Sequence, residues 1–156
     1  MKQRTIRSEI SCQGVGLHTG KSIFLKLTPA PANSGIVFRR IDLNPIVSIP
    51  ALYNHVGDTR LSTCLCKDNA RISTIEHLMS AVFALGIDNL VIDVDAAEVP
   101  IMDGSSAPFL FLLQSAGIAE LKQKKQFIYV REKIEVEGEN GEKACFKPAS
   151  ELSYHI

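Results

Sequence analysis

Ser73-Thr74-Ile75-Glu76-His77-Leu78-Met79-Ser80-Ala81-Val82-Phe83-Ala84-Leu85-Gly86 is the stretch on which the fold turns. Ile75, Leu78, Met79, Val82 and Leu85 recur at three- and four-residue spacing, the apolar stripe of an α-helix, and Gly86 supplies a natural C-terminal stop. At the other end, Ser73 followed three residues later by Glu76 has the pattern of a capping box. A second helix is predicted to start at Ser105 or Ser106, with Pro108 in its first turn, and to run through Phe109-Leu110-Phe111-Leu112-Leu113 to a stop at Gly117. Between the helices, residues 89–95 alternate as a strand.

Working outward, short β-branched or apolar runs at residues 4–12, 22–27, 35–41 and 59–66 are separated by Gly, Pro and Asn clusters, so the first third reads as sheet. Pro29-Ala30-Pro31-Ala32-Asn33-Ser34-Gly35 is a connection between strands, because apolar alternation resumes on both sides. On the C-terminal side, residues 121–126 read as a polar bridge. Strand-like residues 127–136 follow, then a turn at 138–141, strand residues 144–147 and the opening of another strand at 152–156. A lone hairpin and half a strand do not make a stable domain in water. The expected organisation is therefore an N-terminal domain over residues 1–121 and the incomplete start of a second over 122–156. The expected fold class is α+β: a two-layer sandwich of a mostly antiparallel sheet covered by two helices, plus the opening strands of a second, similar domain.

Lysine plus arginine and aspartate plus glutamate both total 17, so no net field marks the chain for nucleic acid or an anionic membrane. The start leads into no apolar signal region, and the densest apolar run, residues 109–113, is too short to cross a bilayer. A soluble cytoplasmic protein with no transmembrane segment is the expectation, and in that setting Cys12, Cys64, Cys66 and Cys145 read as packed free thiols.

Chemistry concentrates at Glu76 and His77. At about 100° per residue, with Ile75 at zero, His77 falls at about 200°, opposite the core stripe. Its neighbours on that face, Ser80, Ala81 and Ala84, are small enough to admit another layer or a ligand. A surface histidine and a metal ligand both satisfy that position. A capping role and a general-base role both satisfy Glu76, since a carboxylate beside a metal-binding imidazole is placed to take a proton from an attacking water. Gly14-Val15-Gly16-Leu17-His18-Thr19-Gly20-Lys21-Ser22 has the glycine content of a phosphate-binding loop, but not its spacing. A strand-like run follows it, so a glycine turn between strands is expected. Asp103-Gly104-Ser105-Ser106 reads as a turn into the second helix, with a supporting role at a cleft as the alternative.

Six segments, Gly14 to Gly20, Pro29 to Gly35, Arg39-Arg40, Ile72 to Leu78, Gly86 to Asn89 and Pro100 to Ser105, resemble in order the N-terminal half of the UDP-3-O-acyl-N-acetylglucosamine deacetylases, zinc amidohydrolases of lipid A biosynthesis. The resemblance covers nearly the whole chain. It implies that His77 ligates Zn2+ and that Glu76 is the general base for hydrolysis of the N-acetyl amide of UDP-3-O-acyl-GlcNAc. It places the His18 turn beside the active-site cleft and Thr59, with the residues up to Thr63, facing the substrate. It also implies two domains packed helix layer to helix layer around the site. The family's remaining zinc ligands come from an H-K-x-x-x-D segment of the second domain, which has no counterpart here, and catalytic zinc takes three protein ligands. A missing second domain is thus the expected partner, and this chain alone is expected to be inactive. The alternatives are a non-catalytic single-domain relative acting as a binding or regulatory module and, on the failed loop spacing alone, a nucleotide-binding module.

Overall fold

The computed structural model describes residues 1–153, so the strand opening expected around Tyr154, and His155 with it, lies outside the described residues. Two compact units are distinguished, residues 1–125 and the stretch from Gln126 onward.

The first unit opens with β1 (Lys2–Ile6), β2 (Ile10–Val15), β3 (Ser22–Pro29), β4 (Ile36–Arg40) and β5 (Val47–Pro50). A short ribbon follows, β6 (Leu65–Lys67) with β7 (Ala70–Ile72). Next come α1 (Glu76–Ala84), β8 (Leu90–Val94), α2 (Ala107–Ala116) and β9 (Ile118–Lys124). Five strands form one sheet in the order β2-β3-β8-β4-β5, antiparallel except where β4 runs parallel to β8. The chain is thus a sheet-dominated mixture of α and β with two helices. Period-two alternation builds the sheet: Ile23, Leu25 and Leu27 of β3 are buried while the residues between them are more exposed. They share one apolar cluster with Phe38, Ile49 and Ile92 of the sheet, Leu78, Ala81 and Val82 of α1, and Phe109 and Leu113 of α2.

The helix ends follow local chemistry. Gly86 adopts φ 62°, its amide bonds the carbonyl of Phe83, and the amide of Ile87 bonds that of Val82. This is a Schellman motif, which uses the left-handed region glycine enters without a Cβ penalty. Gly117 (φ 72°, ψ 152°) ends α2 with its amide bonded to the Gln114 carbonyl, and Pro108 stands in the first turn of that helix.

Several expectations are corrected. The run at residues 4–12 is two strands, because the chain turns at Arg7-Ser8, whose amides bond the carbonyls of Gly117 and Ala116. Residues 59–63 are a loop, and only Leu65–Lys67 is strand. Residues 121–124 are not a bridge but part of β9, paired with β1 from Ile6↔Ile118 to Lys2↔Lys124. Its exposed lysines blunt a sheet edge and mask the strand in composition. The first unit accordingly runs to Lys125, past residue 121. Ala81, placed by spacing on the small-residue face, is fully buried in the core.

Several polar residues stitch the fold together. Asn89, fully buried, donates to the Gln3 side chain and accepts from the Gly35 amide. Arg39 grips the carboxylate of Asp93 on the neighbouring strand, 2.7 Å from Nη2, and Arg40 holds Asp42 and the carbonyl of Arg71. All four cysteines are free; Cys64 is buried, and burial raises the pKa of the half-buried Cys12 thiol. No helix among the described residues is long and apolar enough to cross a membrane.

In the second unit β10 (Ile134–Glu137) and β11 (Lys143–Phe146) form an antiparallel hairpin around the turn that ends at Gly141 (φ 87°). Residues 127–133 carry no strand. Ile134 pairs with Phe146 and Val136 with Ala144, giving the hairpin one apolar face, and all four residues are exposed.

Candidate active site

Three segments meet at the start of α1. The first, residues 97–99, runs beside Ser73 as a parallel bridge: the Ser73 amide and hydroxyl both bond the Ala97 carbonyl (3.0 and 3.2 Å), and the Val99 amide bonds the Ser73 carbonyl at 3.0 Å. Ser73 therefore does not cap the helix, and the capping box is absent. Thr74, buried at φ 60°, turns the chain sharply, and α1 begins after Ile75.

The second segment is the loop over residues 57–63. Its neck is closed by bonds from the Gly57 amide to Cys64 and from the Cys64 amide to Asp58. Asp58 accepts from the amide and guanidinium of Arg60, which hold its carboxyl down to about 2. The far end is fastened to the helix in both directions. The Thr63 amide donates to Glu76 Oε2 at 3.0 Å, and the Ile75 amide donates to the Thr63 carbonyl at 3.4 Å. Glu76 is thus aimed by a backbone amide at the positive end of its own helix, where a carboxylate is favoured. Thr59 lies exposed in the middle of this loop.

The third segment is the glycine turn between β2 and β3. It is closed by bonds from the Gly16 amide to Lys21 and the Gly20 amide to Gly16, with Gly20 at φ 64°, as expected of a turn between strands. His18 is exposed at its tip. Beneath it lies Glu98, only 1% exposed, which sequence reasoning passed over. Its carboxylate accepts from the amides of His18 (3.0 Å) and Thr19 (3.2 Å) and from the hydroxyls of Thr19 (3.0 Å) and Thr74 (3.3 Å). A Cβ on Gly16 would collide with this carboxylate and with the Thr19 hydroxyl, so only glycine lets the turn close onto it. Burial works to raise the Glu98 pKa, but the donors from His18, Thr19 and Thr74 outweigh it and hold the carboxyl below its ordinary value. The available signal was an acid set in the apolar run Ala97-Glu98-Val99-Pro100 with no adjacent cation.

His77 stands half-buried on α1, next to Glu76. The hydroxyl and amide of Ser105 hold the Asp103 carboxyl below its ordinary range. The turn at 102–105, with Met102 at φ 57° and Gly104 at φ 82°, also starts α2: Ser105 Oγ, not Ser106, accepts from the Ala107 amide at 3.1 Å.

Glu76 and His77 thus stand side by side at the start of α1, and the His18 turn is tied to the same point through Glu98 and Thr74. A half-buried imidazole beside a carboxylate suits part of a metal centre, but among the described residues no three His, Cys, Asp or Glu side chains group as ligands.

The family profile described as UDP-3-O-acyl N-acetylglycosamine deacetylase matches residues 3–156. The curated UDP-3-O-acyl-N-acetylglucosamine deacetylase of Saccharophagus degradans is 57% identical over 149 residues, 95% of this chain and 48% of the relative. That of Teredinibacter turnerae is 56% identical over the same shares. That of Coxiella burnetii is 53% identical over 137 residues, 88% of this chain and 45% of the relative. The chain spans about half the length of the curated relatives it matches.

Proposed function

The chain belongs to the UDP-3-O-acyl N-acetylglycosamine deacetylase family, and from that premise we propose that it carries the general base and one metal ligand of a zinc-dependent deacetylase whose remaining ligands lie in a second domain. The substrate in this reading is UDP-3-O-acyl-N-acetylglucosamine, hydrolysed at its N-acetyl amide in a cytoplasmic step of lipid A biosynthesis. The observation that carries it is Glu76, held by the Thr63 amide directly beside His77.

Zinc held by His77 and by ligands from the second domain would polarise the amide carbonyl and ease ionisation of the attacking water. Glu76 takes the proton of that water at its carboxylate, and the Thr63 amide keeps the carboxylate aimed while it does so. His18 and Thr59, exposed on two neighbouring connections, border the substrate.

Two apolar surfaces support the second domain. Phe83 of α1 and Phe111 of α2 are exposed on helices that pack against each other. This suits a helix layer that a further domain covers. The β10–β11 hairpin shows an uncovered apolar face, as the first strands of an unfinished sheet would.

The test is acetate release from UDP-3-O-acyl-GlcNAc by the 156-residue chain and by the same chain joined to the C-terminal half of the Saccharophagus degradans relative. Zinc-dependent turnover is expected from the joined protein alone. Turnover by the 156-residue chain overturns incompleteness, and a folded joined protein without turnover favours a binding or regulatory module.

A further inference from the structure

We infer that Glu98 is a positioning residue of this site: a buried carboxylate that fixes both the His18 turn and the backbone leading into Glu76 and His77. The inference rests on the proposed deacetylase reading for its catalytic consequence, but not for its geometry.

Among the described residues Glu98 has no cationic partner. Its contacts among the described residues are neutral N–H and O–H donors, four in all. Burying a charge this deeply is costly unless hydrogen bonds replace its hydration. A glutamine would satisfy the space at lower electrostatic cost, but its amide nitrogen offers donors where Thr19 already presents an amide and a hydroxyl. A carboxylate accepts on both oxygens, and here it uses both: Oε1 takes the His18 amide and the Thr74 hydroxyl, and Oε2 takes both donors of Thr19. One oxygen therefore joins the turn to the helix start directly.

Thr74 needs such an anchor. A β-branched residue at φ 60° is strained and persists only where its surroundings fix it. From Thr74 the linkage is short. The next amide, Ile75, bonds the Thr63 carbonyl, and the Thr63 amide returns to Glu76. Release of the Thr74 hydroxyl frees the one residue that sets the direction of this loop-and-helix clamp. No ligand or metal need touch Glu98 for it to govern where the Glu76 carboxylate points.

The test has two parts. In the 156-residue chain, Glu98→Gln is expected to speed hydrogen exchange of the His18 and Thr19 amides by about tenfold or more, the loss of bonds to a charged acceptor. It should also shift the Thr63 amide resonance while leaving protection in β3 and β8 unchanged. In the joined protein the same substitution is expected to lower kcat by roughly 10- to 100-fold with KM changed by less than about threefold, as misaim of a reacting group does. A folded Glu98→Gln chain with unmoved His18 and Thr63 amides overturns the inference, as does wild-type kcat in the joined protein. If the wild-type joined protein shows no turnover, the deacetylase reading fails, and the exchange result alone decides the role of Glu98. Should Glu98→Gln not fold, Thr19→Val removes one donor from an exposed residue and is expected to give the same pattern at smaller size; its absence there overturns the proposal equally.

Discussion

Glu76→Gln, made in the chain joined to a C-terminal half, is expected to lower kcat for amide hydrolysis by about 10²- to 10⁴-fold, the contribution of a positioned general base. Glutamine is chosen because its carbonyl oxygen keeps the acceptor that the Thr63 amide uses at 3.0 Å, so the loop and helix stay fastened while the basic oxygen is lost. Circular dichroism and Tm are expected to match the parent, and KM to move little, because the interaction removed acts on the proton and not on the bound substrate. A kcat within threefold of the parent would remove Glu76 from the chemistry and leave it as a loop anchor.

Phe109→Ala has the largest expected effect on stability. Phe109 is 0% exposed on α2 and shares its core with Phe38 of the sheet and Leu78 of α1. Truncation removes apolar contact and leaves a cavity, at a cost of about 3–5 kcal/mol. For a unit of this size that is a fall in Tm of roughly 10–20 °C, read by thermal unfolding of the 156-residue chain. Phe111, two residues along the same helix, is 70% exposed, and its change to alanine is expected to cost less than about 0.5 kcal/mol here. In the joined protein Phe111→Ala should cost clearly more, if the helix layer is covered there. Equal losses for both variants in the 156-residue chain would show that the core has been placed on the wrong side of α2.

Elements defined by local rules were legible: the stripe of α1, the glycine stops at Gly86 and Gly117, Pro108 in the first turn of α2, the alternation of β8, and the hairpin turn at Gly141. Elements defined by distant partners were not. Ser73 and Glu76 have the spacing of a capping box, yet the Ala97 carbonyl and the Thr63 amide, neither visible in local sequence, engage their side chains instead. Residues 121–124 look like a linker because an edge strand carries lysines.

The site shows the same division. The helix that carries Glu76 and His77 was legible because its apolar residues are periodic. Thr59 was placed in a strand that proves to be a loop. Glu98 offered only its setting in the apolar run 97–100 as a signal, because its partners, His18, Thr19 and Thr74, stand 80, 79 and 24 residues away in sequence. A carboxylate satisfied by neutral donors leaves no charge partner to find.

The proposal that His77 is one ligand of a zinc site completed by residues outside this chain is decided by the zinc stoichiometry and affinity of the joined protein, with and without His77→Ala, beside the 156-residue chain. One tightly held zinc is expected in the joined parent, with binding weakened at least about 100-fold by His77→Ala and no stoichiometric zinc in the 156-residue chain. One tight zinc retained by the His77→Ala protein, or bound by the 156-residue chain alone, would contradict it.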